Sequence, residues 1–348
     1  PDKLIINGRS ISFHEDINAG AAYTGKLPVL ITSTSMCDLP DRIVRKLGIQ
    51  ILPFKVYTDE GEFKDGVQMD GNELVRYISR GGNAVSDAPD EAAYTEFFAA
   101  GLKKAHHLIH IALTTSMSVD YKVSSEAAKA FENVSVINSE CISSATGILV
   151  LMAQRLVQQN IPVEEIIEEL ETVKKRLMCS FVIDTTDYMV RRKLVSPRIH
   201  KLAGALNLHP SIRMQNDKIG IGGIWMGNVK RSYRNYIKKA FPVDVIPDSE
   251  VVFITYVDLP MDTLLWIREE ISRIAYFEHV VFRQASAAIS SNCGPGAFGV
   301  LYFVKSNKSY NLGAYFEEEN EEPQPSVGEE EAGGAGSGEK ASDLPEKI

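Results

Sequence analysis

Over residues 28–178, short aliphatic and β-branched runs alternate with amphipathic stretches, and this alternation constrains the fold more than any other feature of the chain. The runs VLIT (29–32), IQILPFKVYT (49–58), HHLIHIALT (106–114) and NVSVINS (133–139) read as strands. Between them, helical spacing runs over 41–47, 72–78, 91–102 and 121–131, and two further helices are expected over 144–159 and 162–178. Pro40 opens the first helix, and Gly48 stops it. Strands that alternate with helices must cross over between neighbours, which gives a mainly parallel sheet with helices on both faces.

The rhythm changes near Cys179. SFVIDT reads as a strand, and short helices are expected over 187–193 and 201–206. SIRMQNDKIGIGGIWM (211–226) is antiparallel hairpin grammar, turning at Asn216-Asp217. A basic helix over 230–240, a strand at VVFITYV, a helix at LLWIREEISRIA and a strand at FEHVVFRQA follow. The stretch ISSNCGPGAFGVLYFVK closes the unit, read as two apolar segments joined by a tight glycine loop. The fold class is therefore α/β in two domains, 28–178 mainly parallel and 179–316 mixed with antiparallel strands. An N-terminal hairpin turning at Asn7-Gly8 is expected within an extension over 1–27.

Charge separates the chain differently. Of 46 acidic and 37 basic residues, residues 317–348 hold eleven acids and two lysines, which accounts for the whole formal charge of −9. That segment is rich in Gly, Pro, Glu and Ser and is expected to be a disordered acidic tail. The remainder is formally neutral, so nothing points to nucleic acid, which asks for a concentrated basic surface. Lys230, Arg231, Arg234, Lys238 and Lys239 do share one helix, as a solvated face or a docking surface. No apolar run approaches the ~18 residues of a membrane span. The start lacks a signal-peptide pattern, and the four scattered cysteines fit free thiols in a reducing compartment. A cytoplasmic protein without stable membrane insertion is expected.

In open α/β sheets, ligands bind at the carboxyl ends of the strands. Three loops there are hydroxyl-rich: Thr32–Ser35, Thr114–Ser118 and Asn138-Ser139; Ser86 lies in a fourth. Hydroxyls and loop N–H groups suit a carboxylate or phosphate, and each also serves as an ordinary helix cap. The glycines of Cys293-Gly294-Pro295-Gly296 would let backbone approach a ligand closely. No metal-ligand cluster, nucleotide loop or catalytic motif is present, so no cofactor is expected. Two chemical readings remain. His110 could pair with Asp38, against the more ordinary core histidine. Cys293 could serve as a thiolate nucleophile, with no activating base nearby in sequence.

In order, the stretches VLITSTSMCDLP, LGIQILPFKVYTDEGEFKDG, SDAPD, HIALTTSMSVDYKVSSEA, VSVINSECISSATGILVLMA, VIDTTDYMVRRKLVSPRI and SSNCGPGAFGVLYF resemble the DegV family of two-domain bacterial fatty-acid-binding proteins. The resemblance spans about residues 28–315. It implies that one long-chain fatty acid, or a similar amphiphile, is held with its tail in an interdomain tunnel and its carboxylate at the domain junction. It further implies presentation of that carboxylate to a separate fatty acid kinase for phospholipid synthesis, with no chemistry by this chain itself. The headgroup residues it implies are Ser86, Thr115, Ser118, Asn292, Gly294, Gly296 and Arg198.

Several positions depart from the family pattern. Asn292 stands where the family carries a histidine, and asparagine donates a hydrogen bond without becoming cationic. Asn138 replaces a strand-end aspartate, and the first aspartate of the opening motif is lost at Thr34-Ser35-Met36-Cys37-Asp38-Leu39. Ser118-Val119-Asp120-Tyr121 replaces Ser-Gly-Thr-Tyr, so Asp120 is expected to bring negative charge near the headgroup unless it points away. Besides lipid binding, two readings stay open: a DegV-like scaffold or regulatory domain without lipid, and a thiol-dependent enzyme using Cys293.

Overall fold

The computed structural model describes residues 25–184 and 207–317, together with two short N-terminal strands. Those strands, β1 (Lys3–Ile6) and β2 (Arg9–Ser12), pair antiparallel as the Asn7-Gly8 signal predicts. The helices expected over 187–193 and 201–206, and the tail beyond 317, lie outside the described residues.

The first unit holds a four-stranded sheet of β3 (Leu27–Thr34), β4 (Gln50–Leu52), β8 (Ala105–Ala112) and β9 (Val134–Asn138). Its order is β4-β3-β8-β9 and every pairing is parallel. Helices α3 (Glu91–Leu102) and α4 (Asp120–Ala128) cover one face, burying Tyr94, Phe98 and Ala127 against Leu30 and Leu108. Helix α1 (Asp41–Leu47) ends at Gly48, whose φ of 66° is the left-handed conformation glycine tolerates best. Helix α5 (Ser143–Gln158) is apolar almost all round and packs between this sheet and a second one. Helix α6 (Val163–Val173) lies beside it.

Two expectations are corrected here. IQILPFKVYT is not one strand. Pro53 has no N–H to give a ladder, and the Phe54 N–H donates instead to Ser35 Oγ at 3.0 Å. The run splits into β4 and β5 (Lys55–Thr58), which belong to different sheets. With β6 (Gly61–Lys64) and β7 (Ala84–Asp87), β5 forms a small antiparallel sheet of order β6-β5-β7. Helix α2 (Gly71–Ser79), held by a reciprocal Asp70–Glu73 capping box, packs beside it. The helix expected over 162–178 stops at Val173, because Leu177 and Met178 start the next strand and pair with Phe303 and Tyr302.

The second unit is a six-stranded mixed sheet of order β12-β11-β10-β15-β13-β14. Strand β10 (Leu177–Val182) lies antiparallel to β11 (Leu208–Gln215) and to β15 (Phe298–Val304). Strand β12 (Lys218–Met226) completes the expected hairpin, with Asn216 and Asp217 both left-handed at φ 51° and 56°. Strand β13 (Pro247–Tyr256), helix α8 (Met261–Ser272) and β14 (His279–Gln284) form a parallel crossover. Helix α7 (Val229–Ala240) is the basic one. Arg234 pairs with the buried Glu270 at 2.8 Å, and Lys230 and Arg234 both lie over Trp266, so that face is partly engaged by α8.

The apolar segment read before the glycine loop belongs to a helix, α9 (Ala287–Cys293). Ser286 caps it, its side chain accepting from the Ile289 N–H at 3.3 Å. The left-handed Gly294 ends it. This short helix joins the two units, packing on α2, β5 and β7 of the first.

Candidate functional site

Two buried carboxyls receive the start of α9. Asp38, left-handed at φ 49° after β3, accepts from the Ser286 N–H at 2.9 Å and from Ser143 Oγ at 2.6 Å. Asp65, after β6, accepts from the Ala287 N–H at 2.9 Å and from Ser35 Oγ at 2.7 Å. A helix N-terminus favours negative charge, so the first unit supplies the countercharge for a helix of the second. Burial raises the pKa of both carboxyls; that of Asp65 reaches about 6, with Asp38's charge adding to the rise.

The other end of α9 meets β7. Ser86 is 3% exposed and donates to the Ala288 carbonyl at 3.1 Å. Asn292 donates from Nδ2 to Ser86 Oγ at 3.2 Å and to the Ala288 carbonyl at 2.7 Å, and Ser291 Oγ lies 3.1 Å from Ser86 Oγ. Thus residues more than 200 positions apart form one polar cluster. Next to it the chain turns through Gly294 (φ 75°) and Gly296 (φ 82°), whose N–H donates to the Val257 carbonyl. A side chain at Gly296 would collide with Asp184 at 2.7 Å, so the close approach requires glycine.

On the inner side of α9 lies an apolar cavity of about 30 Å³, lined from the first unit by Ile142 and Ser143 and from the second by Phe181, Ile289, Cys293 and Leu301 among others. Its polar boundary includes Thr255, which shares a 2.6 Å hydrogen bond with Ser144. Cys293 faces this space, and its thiol is pushed up to about 12 by burial and by the charge of Asp38. A nucleophilic cysteine needs a stabilised thiolate, so these surroundings oppose the enzyme reading. His110 and Asp38 do not pair. His110 Nδ1 bonds Thr32 Oγ1 at 2.9 Å within a ring of Tyr94, Phe97 and Phe98, and burial depresses it to about 3. It is a core histidine.

Two of the remaining site candidates make other hydrogen bonds. Thr115 and Ser118 lie on the loop after β8. The Ser118 hydroxyl accepts from the Asp120 N–H at 3.1 Å, in the manner of an ordinary cap. The Thr115 N–H and hydroxyl both donate to Asp217, at the tip of the β11–β12 hairpin, the N–H at 2.9 Å. Among the described residues, no hydrogen bond joins this group to the Ser86–Asn292 cluster. Arg198 lies outside the described residues.

Asp120 points away from the loop. It is fully buried, accepts from the Leu113 N–H at 2.7 Å and from the Tyr94 hydroxyl, and has a pKa raised to about 6 by burial. The expected charge near the headgroup is therefore a core linker between β8 and α3. Its raised folded pKa means that the stability from proton uptake is fully present below the unfolded value of 3.8 and is lost as pH rises through about 6. Wild type should thus gain on Asp120→Asn by roughly 1.4 kcal/mol as pH falls from 7 to 5. Denaturant unfolding of both proteins at the two pH values checks this; a constant or shrinking difference would refute it.

Sequence reasoning missed the roles of Asp65 and Asp217. A buried polar seat for α9 has no local signature, and the Asn216-Asp217 turn signal does not say where its tip will land.

Comparison with known proteins places this architecture. The model of the DegV family of uncharacterised proteins matches residues 28–305. The chain belongs to the DegV family. A DegV domain-containing protein of Deinococcus radiodurans is 24% identical over 283 residues, covering 79% of this chain and 98% of that protein. One from Caldanaerobacter subterraneus is 24% identical over 287 residues, covering 80% and 99%. Among solved structures, a DegV family protein from Thermus thermophilus, described by its fatty acid binding, superimposes with a TM-score of 0.71 at 20% identity, covering 80% of this chain and all of that one. Bacillus subtilis DegV, described as a fatty acid binding protein, gives 0.66 at 19% over 80% of this chain and 100% of its own. These likenesses establish the DegV fold: a mostly parallel first sheet flanked by helices and a mixed second one. Among the described residues, no helix is long and apolar enough to cross a membrane.

Proposed function

We propose that this DegV protein binds a long-chain fatty acid or similar amphiphile non-covalently at the junction of its two units. The domains on this reading are 28–178 and 179–316. The observation that carries the proposal is the apolar cavity bounded by residues of both units, including Ile289 and Cys293 of α9, the helix that also bears Asn292 of the polar cluster. The acyl chain would supply most of the affinity, at ~0.8 kcal/mol per buried CH₂, and the polar cluster would orient the carboxylate. Ser86 can turn its proton from the Ala288 carbonyl to a ligand, and Asn292 Nδ2 already points into the cluster. Gly294 and Gly296 would keep the backbone close, while Thr115, Ser118 and Arg198 would complete the headgroup contacts. The function ascribed to the Thermus thermophilus and Bacillus subtilis relatives supports this reading.

A cavity of about 30 Å³ holds roughly one water, so the lining side chains must part to admit a chain. That tightness favours, as a second reading, a DegV-like scaffold without lipid. On the lipid reading the protein works in the cytoplasm and presents the carboxylate to a fatty acid kinase for phospholipid synthesis. Native mass spectrometry of protein purified from cells separates the two. One acyl chain per protein is expected; delipidated protein that takes up no palmitate would leave the scaffold. Asn292→His adds a cationic donor and should tighten palmitate binding about tenfold below the histidine pKa. Unchanged affinity in isothermal titration would place the headgroup elsewhere.

A further inference from the structure

The loop after β8 was expected to suit a carboxylate, and it holds one from the chain itself. Asp217 accepts the Thr115 N–H at 2.9 Å and the hydroxyls of Thr114 and Thr115. Thr114 and Thr115 follow β8, so the receiving groups sit at the carboxyl end of a parallel strand, where α/β sheets bind ligands. Three donors converge on one carboxylate, and no basic side chain is among them. The occupant comes from the opposite unit, on a two-residue turn about 100 positions away.

We propose that this cradle is a carboxylate receptor and that Asp217 is its built-in occupant, exchangeable with the carboxylate of a ligand. The hairpin β11–β12 is then fastened to the first unit by a mimic of the ligand headgroup. A fatty acid reaching Thr115 must displace Asp217 and release the hairpin tip, which couples ligand uptake to the junction. This coupling rests on the proposed fatty-acid binding; the receptor itself does not. The lowered pKa of Asp217, held down by these hydrogen bonds, fits an ionised occupant.

The test uses Asp217→Gly, which vacates the cradle while leaving Asn-Gly, the favoured pair for this turn. Acetate should raise the melting temperature of the glycine variant and leave wild type unmoved, with chloride at equal ionic strength as the control. Palmitate should bind the variant about tenfold more tightly, since no occupant has to leave first. In wild type, palmitate should speed amide exchange over 208–226, and in the variant that response should vanish. If wild type binds palmitate while the variant binds it equally and ignores acetate, the inference is overturned and lipid binding stands. If neither protein binds palmitate, the lipid reading fails and the acetate response alone decides the receptor: present, it stands; absent, it falls.

Discussion

Replacing Gly71 by alanine is expected to destabilise the protein by about 3 kcal/mol, at the upper end of what a single overpacked methyl costs. Gly71 opens α2 in the first unit, and a Cβ there would lie 2.0 Å from the Ala285 carbonyl oxygen of the second. Both partners are backbone, so neither can swing aside as a side chain would. Relief requires α2 and the β14–α9 connection to separate, and that connection carries Ala285 of the cavity wall. In thermal unfolding the loss corresponds to roughly 5 °C for a protein of this size. Gly220→Ala, where a Cβ meets nothing within 4 Å, is the control and should be near neutral. Equal melting temperatures for wild type and Gly71→Ala would mean that the two units do not meet as described.

Asp38→Ala should lower the unfolding free energy by a similar amount, about 2–4 kcal/mol. It leaves the Ser286 N–H and the Ser143 hydroxyl without their buried acceptor and puts alanine at φ 49°. Asp38→Asn should cost less than half as much, because asparagine tolerates that backbone and keeps one acceptor oxygen. Removing the charge at 38 also removes a repulsion that raises Asp65, so Asp65 in the asparagine variant should titrate below about 6. Carboxyl chemical shifts followed by NMR report that pKa. An Asp65 titration identical to wild type would show that the two carboxyls do not share one seat.

Much of the fold was legible because it is written in local periodicity. The β3, β8 and β9 runs, the α3 pattern and the Asn216-Asp217 turn each carry their own signal within a dozen residues. Errors fell where a tertiary partner overrode that signal. Pro53 divides one apolar run between two sheets because Phe54 finds its acceptor in Ser35. Leu177 and Met178 continue a helical pattern yet pair with β15. Helix α9 is too short and too apolar for its period to be read.

The candidate site was legible only in part. Ser86 and Asn292 were each assigned to the headgroup through a family resemblance, and a hydrogen bond of 3.2 Å joins them. Asp120, read as a charge beside the headgroup, turns inward to Tyr94 because the backbone at Leu113 offers it a buried donor. Thr115 was assigned to a ligand, and its donors are engaged by Asp217.

The sequence by itself determined most of the elements, the parallel first sheet, the hairpin of the second, and where hydroxyls would gather at strand ends, since these follow from spacing along the chain. Tertiary structure alone decided what those hydroxyls hold and which carboxyls are buried. It also decided that a seven-residue helix, seated on Asp38 and Asp65, joins the two units. Those outcomes depend on groups up to 248 positions apart meeting within hydrogen-bonding distance, and hydrogen bonds and desolvation leave no periodic trace in sequence.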